Sequence, residues 1–197
     1  TIPVGKEPQA IAFAPDGKTA YVTNFSDNTV SVLNTATETV VGTVDLGKKK
    51  GPNGIAVTPD GKRALVVNFN DDSFSILDTA ANPVVVSSTP ETFGLQPAKV
   101  AISADGTRAY ISSVLDSLVG VFDLTVNPVV EVASVSTAFE PDGVALSPKG
   151  KRLYVAGYGR SGTGDELDVI STISGEVVMT IRVGKGPFAL PARRRVS

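Results

Sequence analysis

"PQAIAFAPDGKTAYVTN" runs from Pro8 to Asn24 and holds two short apolar runs around a turn. In "AIAFA", Ile11 and Phe13 fall on one face and Ala12 and Ala14 on the other. That period of two reads as a strand. Neither face carries a charge, which predicts burial on both sides. A large face and a small face suit sheets stacked on one another, bulky side chains filling the room left by small ones. "APDG" is a turn: Pro15 presets φ, Asp16 favours the bend and Gly17 accepts a positive φ. "TAYVTN" then reads as a second strand.

The stretch returns along the chain. Prolines stand at Pro8, Pro52, Pro97, Pro141 and Pro187, in steps of 44, 45, 44 and 46. They open "PQAIAFAPDG", "PNGIAVTPDG", "PAKVAISADG" and "PDGVALSPKG", which end on Gly17, Gly61, Gly106 and Gly150. Ile55 and Val57, Val100 and Ile102, and Val144 and Leu146 repeat the large face. Second strands follow as "RALVVN", "RAYISS" and "RLYVAG", and third strands as "TVSVLN", "SFSILD", "LVGVFD" and "LDVIST". Asn34, Asp78 and Asp123 are placed to close the third strand with side-chain-to-backbone turns. "VVGTVDLG" and "VVMTIRVG" supply a fourth. Each unit is a four-stranded antiparallel meander of about 45 residues, the size and strand count of a propeller blade.

"PDGKTAYVTNFSDNTVSVLNTATETVVGTVDLG" resembles a blade of the YVTN-type β-propeller repeat family, whose members include surface-layer-like and lactonase-like propellers. The tetrapeptide at Tyr21–Asn24 is kept as LVVN at Leu65 and drifts to YISS at Tyr110 and YVAG at Tyr154. The resemblance covers Pro8 to about Gly186. It implies an all-β chain, a β-propeller built of four-stranded antiparallel blades, with four repeats at about 8–51, 52–96, 97–140 and 141–186. Residues 1–7 read as the end of a preceding blade, because "TIPVG" matches "TIRVG" at Thr180–Gly184. Residues 187–197 read as a truncated start of a fifth repeat or a tail. Four repeats are fewer than a ring of that family carries, so the expectation is an incomplete, open propeller. Its open blade edges invite self-association.

Composition narrows function. The 197 residues contain no cysteine and no histidine, so thiolate chemistry, disulfides, imidazole bases and histidine ligation are excluded. The net charge of -2 argues against nucleic acid as a partner. Apolar runs are too short for membrane insertion by a helix. No cofactor or metal motif stands out. G-x-G-x-x-G occurs at Gly157, Gly159 and Gly162, but between two strands rather than before a helix, so no dinucleotide site is read from it.

In propellers, the loops entering the inner strands share one face with the loops between second and third strands. The resemblance therefore groups Lys48, Lys49, Lys50, Asn53, Lys99 and Asp142 with Asp27, Asp71, Asp72 and Asp116 as a candidate binding face. The fourth unit carries an insertion at Gly157–Glu166, in which Tyr158, Arg160 and Asp165 are candidate contact residues. Asp168 stands where Ser31, Ser75 and Gly120 stand in the other units; a structural hydrogen bond to a neighbouring backbone is expected of it rather than catalysis.

The repeat, and the want of a convergent catalytic set, predict a non-enzymatic scaffold for protein or glycan contact. The resemblance implies an extracytoplasmic location, periplasmic, secreted or cell-surface. The alternative is a fragment of a propeller enzyme, a lactonase-like hydrolase or a subunit of a cofactor-dependent oxidoreductase, with Asp142 as base or metal ligand.

Overall fold

The computed structural model describes residues 1–82, 84–88, 93–158 and 166–184. Blade 1 is β1 (Pro8–Phe13), β2 (Thr19–Asn24), β3 (Thr29–Asn34) and β4 (Thr39–Asp45). Blade 2 is β5 (Pro52–Val57), β6 (Arg63–Asn68), β7 (Ser73–Asp78) and β8 (Val85–Ser88). Blade 3 is β9 (Pro97–Ile102), β10 (Arg108–Ser113), β11 (Leu118–Asp123) and β12 (Val130–Ser136). Blade 4 is β13 (Glu140–Leu146), β14 (Arg152–Tyr158), β15 (Glu166–Ser171) and β16 (Val177–Arg182). Each blade is one antiparallel sheet with its strands in chain order, and successive inner strands β1, β5, β9 and β13 lie beside one another. The fold is a partial β-propeller with an all-β core.

The turns are built as their residues dictate. Gly17 takes φ +70° and its N–H donates to the Ala14 carbonyl at 2.9 Å, while Asp16 Oδ1 accepts from the Lys18 N–H. A threonine of the β3–β4 turn then fastens this hairpin: Thr35 Oγ1 donates to the Gly17 carbonyl at 2.7 Å. Thr79 does the same for Gly61 and Thr172 for Gly150. Asn34 Oδ1 accepts from the N–H groups of Ala36 and Thr37, Asp78 Oδ1 from Ala80 and Ala81, and Asp123 Oδ1 from Thr125, as the turn chemistry predicts.

The blades stack face to face. Between blades 1 and 2, the small face of β1 (Ala10, Ala12, Ala14) and the side chains of Tyr21, Val30 and Val32 meet Ile55, Val57, Ala64, Val66 and Leu77. Ala101 of blade 3 meets Val144 and Leu146 of blade 4 in the same way. Between blades 2 and 3, Phe122 lies edge-on to Phe74 and to Phe93, with ring centroids 5.0 and 4.8 Å apart. Each fully buried Leu, Ile or Phe contributes about 1.5–3 kcal/mol in these layers.

Ile11 and Phe13, the large face of β1, have no blade of described residues against them and are 54% and 59% exposed. Ile2 and Val4 cover part of that side, packing on Ala20, Val22 and Leu33. They hold the positions that Val44 and Leu46 hold at the next junction, where Ala64, Val66 and Leu77 are the counterparts. Met179 and Ile181 on the outer strand of blade 4 are exposed as well.

Two local differences from the sequence reading stand out. Gly157 and Tyr158, read as the start of the inserted loop, continue β14, because β13 begins early enough to pair Glu140 with Tyr158 and Pro141 with Gly157. A Cβ on Gly157 would fall 2.0 Å from the Glu140 carbonyl oxygen, so the pairing needs glycine there. Asp168 is 1% exposed and accepts from Thr180 Oγ1 at 2.7 Å, a side-chain partner on β16 rather than a backbone one. Among the described residues no helix is long and apolar enough to cross a membrane.

Candidate functional site at the start of the inner strands

Each inner strand begins with a break in register against its neighbour: between Pro8 and Ala10, between Pro52 and Ile55, opposite Ile111–Ser113 for β9, and between Pro141 and Gly143. Such bulges re-aim side chains and are common beside functional sites. Here they sit where three of the candidate residues are found, Asn53 on β5, Lys99 on β9 and Asp142 on β13.

Hydroxyl groups on the second strands link these positions across blades. Thr23 Oγ1 accepts from the Ala10 N–H at 3.0 Å and donates to the Asn53 carbonyl at 3.0 Å. Ser112 Oγ accepts from the Lys99 N–H at 3.0 Å and donates to the Asp142 carbonyl at 2.8 Å. Between blades 2 and 3 the equivalent residue is Val67, and the contact is made by shape instead. A Cβ on Gly54 would lie 2.7 Å from the Ala98 carbonyl oxygen, so glycine lets the two inner strands close up. The Lys99 ammonium then crosses from blade 3 to blade 2 and donates to Asn53 Oδ1 at 2.6 Å.

Lys99 and Asp142 are both half-buried. Burial lowers the Lys99 pKa below its usual value, and the Asp142 charge partly offsets this. Burial raises the Asp142 carboxyl above its usual value, with Lys99 opposing. Each is the other's electrostatic partner, yet no ion pair joins them within 4.0 Å. Two coupled groups displaced from their ordinary pKa values at one place are a common mark of a functional site.

The other candidates have different surroundings. Lys50 is ion-paired with Asp71 and reaches Ser73 Oγ at 3.4 Å, so it braces its own loop. Lys48 and Lys49 are exposed, and Lys49 has φ +60°. Tyr158 lies on β14. Arg160 and Asp165 lie outside the described residues. Three of the acidic residues grouped with these candidates are spent on backbone: Asp27 accepts from the Lys6 N–H, Asp72 from the Gln96 N–H and Asp116 from the Leu95 N–H. Among the described residues no group of three or more carboxylates, cysteines or histidines is placed to hold a metal. At the opposite end of the strands, a cleft between blades 3 and 4 is lined by Arg108, Tyr110, Ile170 and Ser174 with no carboxylate.

Sequence reasoning missed the residues that build the site. Thr23 and Ser112 are the inter-blade links, and Asn24 and Asn68 pin the neighbouring strand. Asn24 Nδ2 donates to Thr29 Oγ1 and Ser31 Oγ, and Asn68 Nδ2 to Ser73 Oγ and Ser75 Oγ. The available signal was the polar residues in TN, VN and SS, closing otherwise apolar second strands.

No family model matches this chain, and no curated protein matches it. Solved structures do. The chain is similar to hydrazine synthase from Kuenenia stuttgartiensis, at 29% identity and a TM-score of 0.82, over 92% of this chain and 51% of that one. It is also similar to a candidate 6-phosphogluconolactonase from Bacteroides uniformis, at 20% identity and a TM-score of 0.76, over 91% of this chain and 56% of the other. A Desulfotomaculum acetoxidans protein of unknown function aligns at 23% identity and a TM-score of 0.72, over 96% and 63%. The chain thus spans about half to two-thirds of the length of these structures. The likenesses agree on the propeller fold.

Proposed function

We propose that this chain is a propeller scaffold for recognition, contacting a protein or a glycan outside the cytoplasm through the end of the blades where Asn53, Lys99 and Asp142 converge. The observation that carries the reading is the Lys99–Asn53 hydrogen bond of 2.6 Å between blades, beside a half-buried Asp142. A rigid frame brings side chains from three strands together, while the surrounding acidic residues are used up in holding loops. Recognition without chemistry suits a chain that has no imidazole and no thiol, and whose described residues bring no three carboxylates together to hold a metal. The exposed apolar faces at Ile11–Phe13 and Met179–Ile181 favour self-association of the chain. The test is a binding screen of the purified chain against cell-envelope polysaccharides and surface proteins. Binding above background to one of them is expected, and background signal with all of them contradicts the reading.

A second reading is favoured by the likeness to structures named as hydrazine synthase and as a candidate 6-phosphogluconolactonase. In it the chain is part of a propeller enzyme and Asp142 is the base, its carboxyl raised above its usual range by burial. A lactone-hydrolysis assay with and without Mg²⁺ or Ca²⁺ separates the two. Turnover abolished by Asp142→Ala would establish the enzyme reading.

A further inference from the structure

Three groups at the start of the inner strands hold hydrogen-bonding capacity that the described residues leave unused. The Lys99 ammonium has three donors and, among the described residues, donates one bond, to Asn53 Oδ1. Neither the amide nitrogen of Asn53 nor the carboxylate of Asp142 has a hydrogen-bond partner among the described residues. Asp142 differs in this from Asp27, Asp72 and Asp116, each of which accepts from a backbone N–H. It differs also from Asp71, which pairs with Lys50. Half-burying an ammonium and a carboxylate without joining them costs stability. The backbone positions are held regardless, because one hydroxyl, Ser112 Oγ, ties the Lys99 N–H to the Asp142 carbonyl.

The unused groups define a ligand. Lys99 and Asp142 together carry no net charge, so neither a bare anion nor a bare cation suits the site. Donors remain on Lys99 and Asn53, and acceptors remain on Asp142. A molecule with adjacent hydroxyl groups meets both needs, because each hydroxyl donates one bond and accepts others. One hydroxyl donates to the Asp142 carboxylate while its neighbour accepts from Lys99 and Asn53. An apolar surface stands at the same end of the blades. The rings of Phe25 and Phe69 are half-buried with centroids 6.3 Å apart, and Phe25 lies against Gly51, two residues before Asn53. Carbon-bound hydrogens of a pyranose ring suit such a surface.

We propose that Asn53, Lys99 and Asp142 form a binding site for a neutral saccharide with vicinal hydroxyl groups. The proposal rests on the recognition reading and narrows its partner to a glycan held at these three side chains.

The experiment titrates the intact chain with methyl α-glucoside, methyl α-mannoside, methyl β-galactoside and N-acetylglucosamine, followed by calorimetry or saturation-transfer NMR. Acetate and glycine serve as anionic and zwitterionic arms. Lys99→Met and Asp142→Asn keep side-chain shape, Asn53→Ala is a third variant, and thermal unfolding shows that each is folded. At least one glycoside is expected to bind, Lys99→Met and Asp142→Asn each to weaken it by about tenfold or more, as the loss of a hydrogen bond to a charged group implies, and Asn53→Ala by about threefold or more. Lys48→Met and Lys49→Met are expected to leave it unchanged. Binding of acetate or glycine alone overturns the ligand class. Glycoside binding indifferent to the Asn53, Lys99 and Asp142 variants overturns the site. Binding of a polysaccharide or surface protein, with no glycoside bound and no effect of the variants, overturns this proposal and leaves the recognition reading standing. Absence of all binding overturns both.

Discussion

The hydroxyl of Thr23 donates to the carbonyl of Asn53 at 3.0 Å and so joins the second strand of blade 1 to the inner strand of blade 2. The same oxygen accepts from the Ala10 N–H, and Thr23 is fully buried. Thr23→Val keeps the shape and strands two backbone groups. A loss of about 1–3 kcal/mol is expected by denaturant unfolding. Ser112→Ala should cost a similar amount and also loosen Asp142, whose carbonyl Ser112 holds at 2.8 Å. If both variants unfold with the parent, the links between blades contribute nothing and apolar stacking alone joins them.

Gly157 sets how closely β14 approaches β13. An added methyl would meet the Glu140 carbonyl oxygen at 2.0 Å and Pro141 Cα at 2.7 Å, both backbone. Gly157→Ala is therefore expected to destabilise by about 1–3 kcal/mol. Gly175→Ala makes a useful comparison: φ is +72° there, but no atom lies within 4 Å, so its cost is conformational only. Thermal unfolding of the two variants checks the difference.

Asp105 reports on the turn that repeats along the chain. Hydrogen bonds from the Ser103 hydroxyl, then from the Thr107 N–H and hydroxyl, hold its carboxyl down at about 2. A folded-state pKa below the unfolded value of 3.8 means that the carboxylate stabilises the fold above that value. The contribution is lost as pH falls through the folded pKa. Asp105→Asn should lower Tm at pH 7, and the gap from the parent should close between about pH 4 and pH 2. A gap constant over that range would contradict this assignment.

Lys99 behaves in the opposite sense. Its pKa is lowered in the fold, so stability rises with pH from the folded value up to the usual lysine value of 10.5. Asp142 is raised, so stability falls as pH climbs from 3.8 through the folded value. Lys99→Met should remove the alkaline slope and Asp142→Asn the acidic one, seen in unfolding free energy against pH. Because the fold gains little from a half-buried unpaired charge, Lys99→Met is expected to change stability by under about 1 kcal/mol or to raise it.

The blade was legible because its signals are local. Ala12 and Ala14 against Ile55 and Val57 follow from alternation within single strands, and "APDG" carries its own turn chemistry. The site was legible only as a set of positions. Asn53 and Asp142 stand one residue after their prolines and Lys99 two, so spacing alone puts Lys99 out of step with its partners. The register break at each strand start brings them together, and hydroxyl groups from Thr23 and Ser112 reach across to the next blade to hold the Asn53 and Asp142 carbonyls. Lys50 shows the converse: it resembled its neighbours Lys48 and Lys49 in sequence, but its ion pair with Asp71 is a long-range contact. Gly157 and Tyr158 resembled loop sequence because they pair with Pro141, the repeat's proline, and with Glu140, which precedes it.

The most direct test of the account follows backbone amide shifts in the isotope-labelled chain as methyl α-mannoside or another binding glycoside is added. Shifts concentrated at Asn53, Gly54, Lys99, Val100, Asp142 and Gly143 are predicted, with Lys48, Lys49 and the β3–β4 turns unmoved. Shifts confined to those loops or turns, or no shifts with any glycoside, would contradict the claim that the converging inner strands form the binding site.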